Sequence, residues 1–183
     1  SSTAGLPPVG EVPPLPGTPD ELVAQFEQSM NDRDIDAYAA LLHPGFEFAF
    51  APRDRHRVAP DIAWGRQEEL NAMRRLFSGE PGTHRPGRPM PGVARIEFAL
   101  VAADDWFYEF AESETWSRTY HAFARFFLED GTRRLITRQQ LLTVTARRNE
   151  WNLQPADFQM LRWEEIGCDC PAGVSPRMAK SRY

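Results

Sequence analysis

Apolar residues recur at helical spacing in the first half of the chain and at every second position through much of the remainder. Leu22, Val23, Phe26 and Met30 form the first helical stripe, and the polar run Asn31 to Asp34 interrupts it. Ile35, Tyr38, Ala39, Leu41 and Leu42 then resume the spacing, so two packed helices are expected. Thr18 can cap the first, with Pro19 at its first helical position and Glu21 three residues after the cap. Pro44 and Gly45 are placed to stop the second. Phe46, Phe48 and Phe50 alternate with Glu47 and Ala49, the period of a half-buried strand. A third helix is expected over about Arg66 to Phe77, with Leu70, Met73 and Phe77 on one face and Gly79 ending it.

Residues 79–92 hold four Gly and four Pro, which predicts a long loop without secondary structure of its own. Strands follow at Val93 to Val101, Tyr120 to Leu128, Leu135 to Ala146 and Phe158 to Trp163, with Asp130-Gly131 as the hairpin turn between the second and third. Short connections imply antiparallel pairing. One face of the Tyr120 strand carries Tyr120, Ala122, Ala124, Phe126 and Leu128; the other carries His121, Phe123, Arg125, Phe127 and Glu129. Aromatic residues on both faces predict that both are covered, the second by another copy of the chain. The expected fold class is therefore α+β: three helices from the N-terminal half packed on a curved antiparallel sheet, in a homodimer formed through the sheet.

The order of elements resembles the nuclear-transport-factor-2-like superfamily, the cone-shaped α+β fold of ketosteroid isomerase, scytalone dehydratase and SnoaL-type polyketide cyclases. The resemblance covers about residues 18–166. It rests on DRDIDAYAALLHPGFEF, on AWGRQEEL with Trp64 ahead of the third helix, and on the closing strand FQMLRWEEI. The resemblance implies a cone whose mouth lies between the helices and the concave sheet face, with Trp64 near that mouth. Ketosteroid isomerases use a helix-one Tyr as oxyanion donor and an Asp at the end of the first strand as proton shuttle. Those positions correspond here to Phe26 and Phe50, neither of which can do that chemistry.

Other candidates come from the residues themselves. His43 as general base with Tyr38 as acid is one pairing; against it, His43 at a helix C-terminus serves the last carbonyls, and Tyr38 stands at core spacing. Tyr120, Arg125, Arg138 and Gln140 are strand residues able to grip a carboxylate or carbonyl inside a cone. The ligand-binding set expected is Tyr38, Trp64, Tyr120, Arg138 and Gln140, with Glu47 as an alternative partner for Arg138. Trp163, followed by Glu164 and Glu165, is expected to end the last strand near the surface. Trp64 and Trp151 either wall a cavity or fill it.

Composition narrows the partners. Lys plus Arg number 21 against 26 Asp plus Glu, a net charge of -5, which argues against a large nucleic-acid face. The hydrophobic fraction is 42%, yet no apolar run reaches the roughly 20 residues of a membrane span. His43, His56, His84 and His121 lack metal-ligand spacing, and no cofactor is expected. Cys168 and Cys170 are too close for an unstrained disulfide and read as tail thiols or as a link between subunits. Residues 1–17 form a Pro-rich linker and 167–183 a tail. The linker either follows a removed secretory or lipoprotein signal, placing the protein in the cell envelope or outside, or is a plain terminus of a cytoplasmic protein. The expected function is binding of a small, mainly apolar molecule. A cofactor-independent lyase, isomerase or cyclase is one alternative, and a non-catalytic dimerisation or protein-interaction module is another.

Overall fold

The computed structural model describes residues 16–49, 64–85, 88–109, 114–129, 134–148 and 158–166, with backbone only at 83–85, 88, 134–143 and 147–148. Helix α1 spans Pro19–Asp32. Its first turn is closed reciprocally: the Thr18 hydroxyl accepts the Glu21 N–H at 3.1 Å, and the Glu21 carboxylate accepts the Gly17 N–H at 2.7 Å. The chain leaves α1 through Arg33 in the left-handed region (φ 53°), and the Asp34 side chain then caps α2, Ile35–Leu41.

Helix α2 ends before Pro44 and Gly45, the residues expected to stop it, and β1 takes up Leu42–Ala49. The carbonyls at this end are claimed from outside the helix. Arg66 donates to Ala39 O at 2.9 Å and Leu42 O at 3.3 Å, while Gln159 donates to Ala40 O at 3.0 Å. With these acceptors satisfied, the chain can turn to extended backbone without stranding buried carbonyls. Strand β2, Trp64–Gly65, leads directly into α3, Arg66–Ser78, which stops at Gly79 (φ 75°).

Residues 79–92 are more regular than expected: β3, Gly82–Arg85, pairs antiparallel with β4, Arg88–Met90. A two-stranded ribbon consists of edges, so it accommodates Pro89 where an internal strand would not. Strands β5 (Val93–Ala102), β6 (Phe107–Glu109), β7 (Thr115–Leu128), β8 (Arg134–Arg148) and β9 (Phe158–Glu165) follow, and those expected from alternation all extend further than predicted. The main sheet has the order β2-β1-β9-β8-β7-β5, with β6 added to β7. It is mixed rather than antiparallel throughout, because β9 returns beside β1 and pairs with it in parallel. The β7–β8 ladder is the expected hairpin; its Asp130-Gly131 turn lies outside the described residues.

Helix α1 covers the open edge of β5. The Asn31 side chain accepts the Phe98 N–H at 2.7 Å and donates to Phe98 O at 3.0 Å. Glu27 accepts the Leu100 N–H at 2.9 Å, and Arg33 donates to Val93 O at 2.6 Å. An edge strand otherwise offers unpaired backbone groups to a neighbouring chain. The inner sheet face buries Ile96, Phe98, Ala122, Ala124, Phe126, Val144 and Met160 against Leu22, Phe26, Met30, Leu70, Met73 and Phe77 of the helices. No helix among the described residues is long and apolar enough to cross a membrane.

Two predictions follow from these contacts. A Cβ at Gly92 would lie 1.7 Å from the Gly79 carbonyl oxygen, so Gly92→Ala is expected to destabilise the fold by about 2–4 kcal/mol in urea titration. Asn31→Ala removes both side-chain bonds to the β5 edge and is expected to cost about 1–3 kcal/mol in the same assay.

Candidate functional site

The cone interior is built around one polar pair. Tyr38 on α2 and Glu69 on α3 are 1% and 0% exposed, and the Tyr38 hydroxyl donates to Glu69 Oε1 at 2.6 Å. Burial, and then the adjacent Glu69 carboxyl group, raise the Tyr38 phenol well above the ordinary tyrosine value of 10.0. Its proton is committed to Glu69.

Rings close the surroundings. Phe26 lies 5.1 Å from Tyr38 and 5.1 Å from Trp163, centroid to centroid, and 6.1 Å from Phe98. Phe77 meets Tyr38 edge to face at 5.7 Å, and Phe98 meets Trp163 at 6.1 Å. These are contact distances for aromatic pairs. Among the described residues, Phe26 is the ring that Tyr38, Phe98 and Trp163 share between α1, α2 and the inner face of β5 and β9.

Of the expected site residues, those whose side chains are described have different immediate partners. His43 lies in β1, where its Nδ1 accepts the Gly45 N–H at 3.0 Å, while the Tyr38 hydroxyl goes to Glu69. Trp64 on β2 is half-buried beside Phe48, at 6.5 Å. Tyr120 belongs to the same hydrophobic core as Tyr38 and there meets a cluster of its own: Trp106 lies edge-on at 6.1 Å, and the Arg118 guanidinium stands 5.6 Å from its ring. Burial raises the Tyr120 phenol, with Arg118 opposing. Asp20 organises that cluster, accepting from Trp106 Nε1 at 2.8 Å and Arg118 at 3.2 Å. Arg125 is on the opposite sheet face, 3.5 Å from Glu97. The backbone sets Gln140 of β8 opposite Ala122 of β7, and the side chains of Arg138 and Gln140 lie outside the described residues, as do Phe50, Trp151, Cys168 and Cys170. Glu47 faces Arg162 across β1 and β9 at 3.7 Å.

Trp163 is not near the surface. It is 5% exposed, because β9 continues through Glu165, itself 2% exposed. Glu165 lies opposite Leu142, which lies opposite Tyr120, placing a carboxyl group in one row across the inner sheet. Glu69 and Glu165 are the polar residues that pattern reading missed. Both carried a signal: Glu69 stands four residues before Met73 on the apolar stripe of α3, and Glu165 stands two after Trp163 on a strand. Among the described residues, no group of three or more His, Cys, Asp or Glu side chains is placed to hold a metal ion.

No protein-family model and no curated protein matches this chain. Solved structures do. A candidate aromatic ring hydroxylase from Novosphingobium aromaticivorans shares 13% identity at a TM-score of 0.57, over 87% of this chain and 92% of that one. A candidate calcium/calmodulin-dependent protein kinase type II association domain from Thiobacillus denitrificans shares 14% at 0.53, over 85% and 99%. A nuclear-transport-factor-2-like superfamily protein from Salmonella enterica shares 9% at 0.54, over 83% and 89%. The chain has the nuclear-transport-factor-2-like fold, a mixed-sheet α+β cone. One fold serves unrelated activities.

The central pair generates a pH prediction. The folded state holds the Tyr38 proton more tightly than the unfolded state, so the stabilisation is complete below the unfolded value and declines as pH rises above about 10. Tyr38→Phe is expected to remove the Tyr38 share of this alkaline dependence, leaving that of Tyr120, and, by taking a buried donor from Glu69, to cost about 1.5–3 kcal/mol near neutral pH. Urea titrations at about pH 7 and about pH 11 read both effects.

Proposed function

We propose that this chain is a non-catalytic self-association module, two copies of which meet through the outer face of β5 and β7. The observation that carries this reading is the mutual contact of Phe26, Tyr38, Phe98 and Trp163 inside the cone. Tyr38, the acid of the alternative catalytic pair, has its proton engaged by Glu69.

The outer face supplies the surface. Phe123 is 41% exposed and lies opposite Ala99, while Val101, 53% exposed, lies opposite His121. Beside this apolar strip stand Arg95, Arg125 and Glu97, with Glu97 taking both guanidiniums as partners. A patch carrying apolar residues and both signs of charge is self-complementary about a two-fold axis, as an isologous dimer requires. The structural neighbour described as an association domain supports the same reading. Small-molecule binding has one observation on its side, the buried Glu165 in the inner row with Leu142 and Tyr120.

Phe123→Glu places like charges across the proposed axis. Sedimentation is expected to show the parent at about twice 20.9 kDa and the variant at 20.9 kDa, with the dissociation constant raised at least about tenfold. An unchanged dimer in the variant, or a monomeric parent, contradicts the proposal.

A further inference from the structure

The connection from β5 to β6, residues 103–106, is bonded to β7 at three points. The Ala103 N–H donates to Thr119 O at 2.9 Å, the Thr119 N–H to Asp104 Oδ1 at 2.8 Å, and Arg118 Nε to Asp104 O at 2.7 Å. Arg118 lies opposite Val144, which is 0% exposed, so it belongs to the inner face of β7. Its guanidinium stands 5.7 Å from the Trp106 ring and 5.6 Å from the Tyr120 ring. Two aromatic faces and a backbone carbonyl thus fix this cation before any carboxylate reaches it.

The carboxylate that does reach it is loosely held. Asp20 Oδ1 accepts from Trp106 Nε1 at 2.8 Å and from Arg118 at 3.2 Å, yet the Asp20 side chain is 72% exposed against 20% for Arg118. An ion pair with one partner so exposed contributes little to stability, so the two donors owe their placement to the bonds of residues 103–106 and not to Asp20. Helix α1 does not depend on Asp20 either. Thr18 and Glu21 close its first turn, and Leu22 and Val23 bury it in the core. A fixed guanidinium and an indole N–H that converge on one replaceable oxygen have the chemistry of a carboxylate site.

We propose that Arg118 and Trp106 form a binding site for the carboxylate of a small organic acid, with Asp20 as its internal competitor. An oxygen of the acid takes the place of Asp20 Oδ1, accepting from Trp106 Nε1 and from the guanidinium. Displacement of Asp20 releases the first turn of α1 from residues 103–106. The Asp104 carboxylate, engaged by the Thr119 N–H, stays beside the site and keeps the affinity modest. The site lies on the inner side of β7, apart from the outer face proposed for self-association, so neither reading depends on the other.

The test uses the full 183-residue chain, isotope-labelled for NMR, beside the variants Asp20→Ala and Asp20→Asn and the double variant Asp20→Ala, Arg118→Gln. Sodium acetate is the probe, with sodium chloride at equal ionic strength as control, and the Trp106 indole N–H resonance is the readout. Unchanged amide shifts across β5 and β9 verify that each variant folds. In Asp20→Ala, acetate is expected to return the indole resonance toward its parent position, with half-saturation on the order of 10 mM, while chloride leaves it in place. The parent is expected to respond at least about tenfold more weakly, because Asp20 competes from a fixed position. Asp20→Asn keeps an acceptor for the indole without the charge and is expected to respond between the two; it decides the question should the alanine variant not fold. Arg118→Gln is expected to abolish the response. An indole resonance that acetate does not move in the Asp20 variants overturns the proposal, as does an equal response to chloride or one that survives Arg118→Gln.

Discussion

A carboxyl group with no exposure in an aromatic interior is the constraint around which the helix layer is arranged. Glu69 has the Tyr38 phenol at 2.6 Å, and that bond ties α3 to α2. Burying a polar group without a hydrogen bond costs several times what the bond itself returns, so the relative position of the two helices is strongly specified. Arg66, in the first turn of α3, reinforces the same junction by taking the Ala39 and Leu42 carbonyls. Gln159 brings β9 to the same helix end through Ala40. The early end of α2, the start of β1 at Leu42 and the parallel return of β9 beside β1 share this one knot of bonds.

With the helices so placed, their apolar faces descend onto the inner sheet, and Phe26 becomes the ring that Tyr38, Phe98 and Trp163 all touch. On the proposed self-association reading, contact between copies falls to the surfaces of the cone. Two surfaces differ in kind. The β5 edge is closed by Asn31 and Glu27 of α1, so growth of the sheet by edge pairing is blocked there. The outer face of the same strands keeps Phe123 and Val101 exposed, and it is there that face-to-face association is proposed.

Much of this architecture was legible in the residue pattern. The capping box at Thr18, the stop at Gly79 and the alternation of β7 each rest on local physics and appear where they were expected. What escaped was non-local. The stop of α2 depends on Arg66 and Gln159, which lie far along the chain from the carbonyls they bind. The parallel β1–β9 pair is a property of the whole chain path. The site was less legible than the fold. Tyr38 reads as core and, less readily, as an acid until Glu69 is seen beside it, and an acidic residue on an apolar stripe is a weak signal because such side chains are usually solvated. Two Glu residues after Trp163 suggest a strand end near the surface, although alternation puts the second of them inside with it.

The most direct measurement is a crystal structure of the full chain purified without added ligand, inspected for electron density between Phe26, Tyr38, Phe98 and Trp163 and for the contact made by Phe123. The account predicts rings in mutual contact, no density beyond the protein's own among them, and a two-fold axis bringing two copies of the outer face of β5 and β7 together. Density for a bound molecule between Phe26 and Trp163 would contradict it, and would return the cone interior to the role of a binding site.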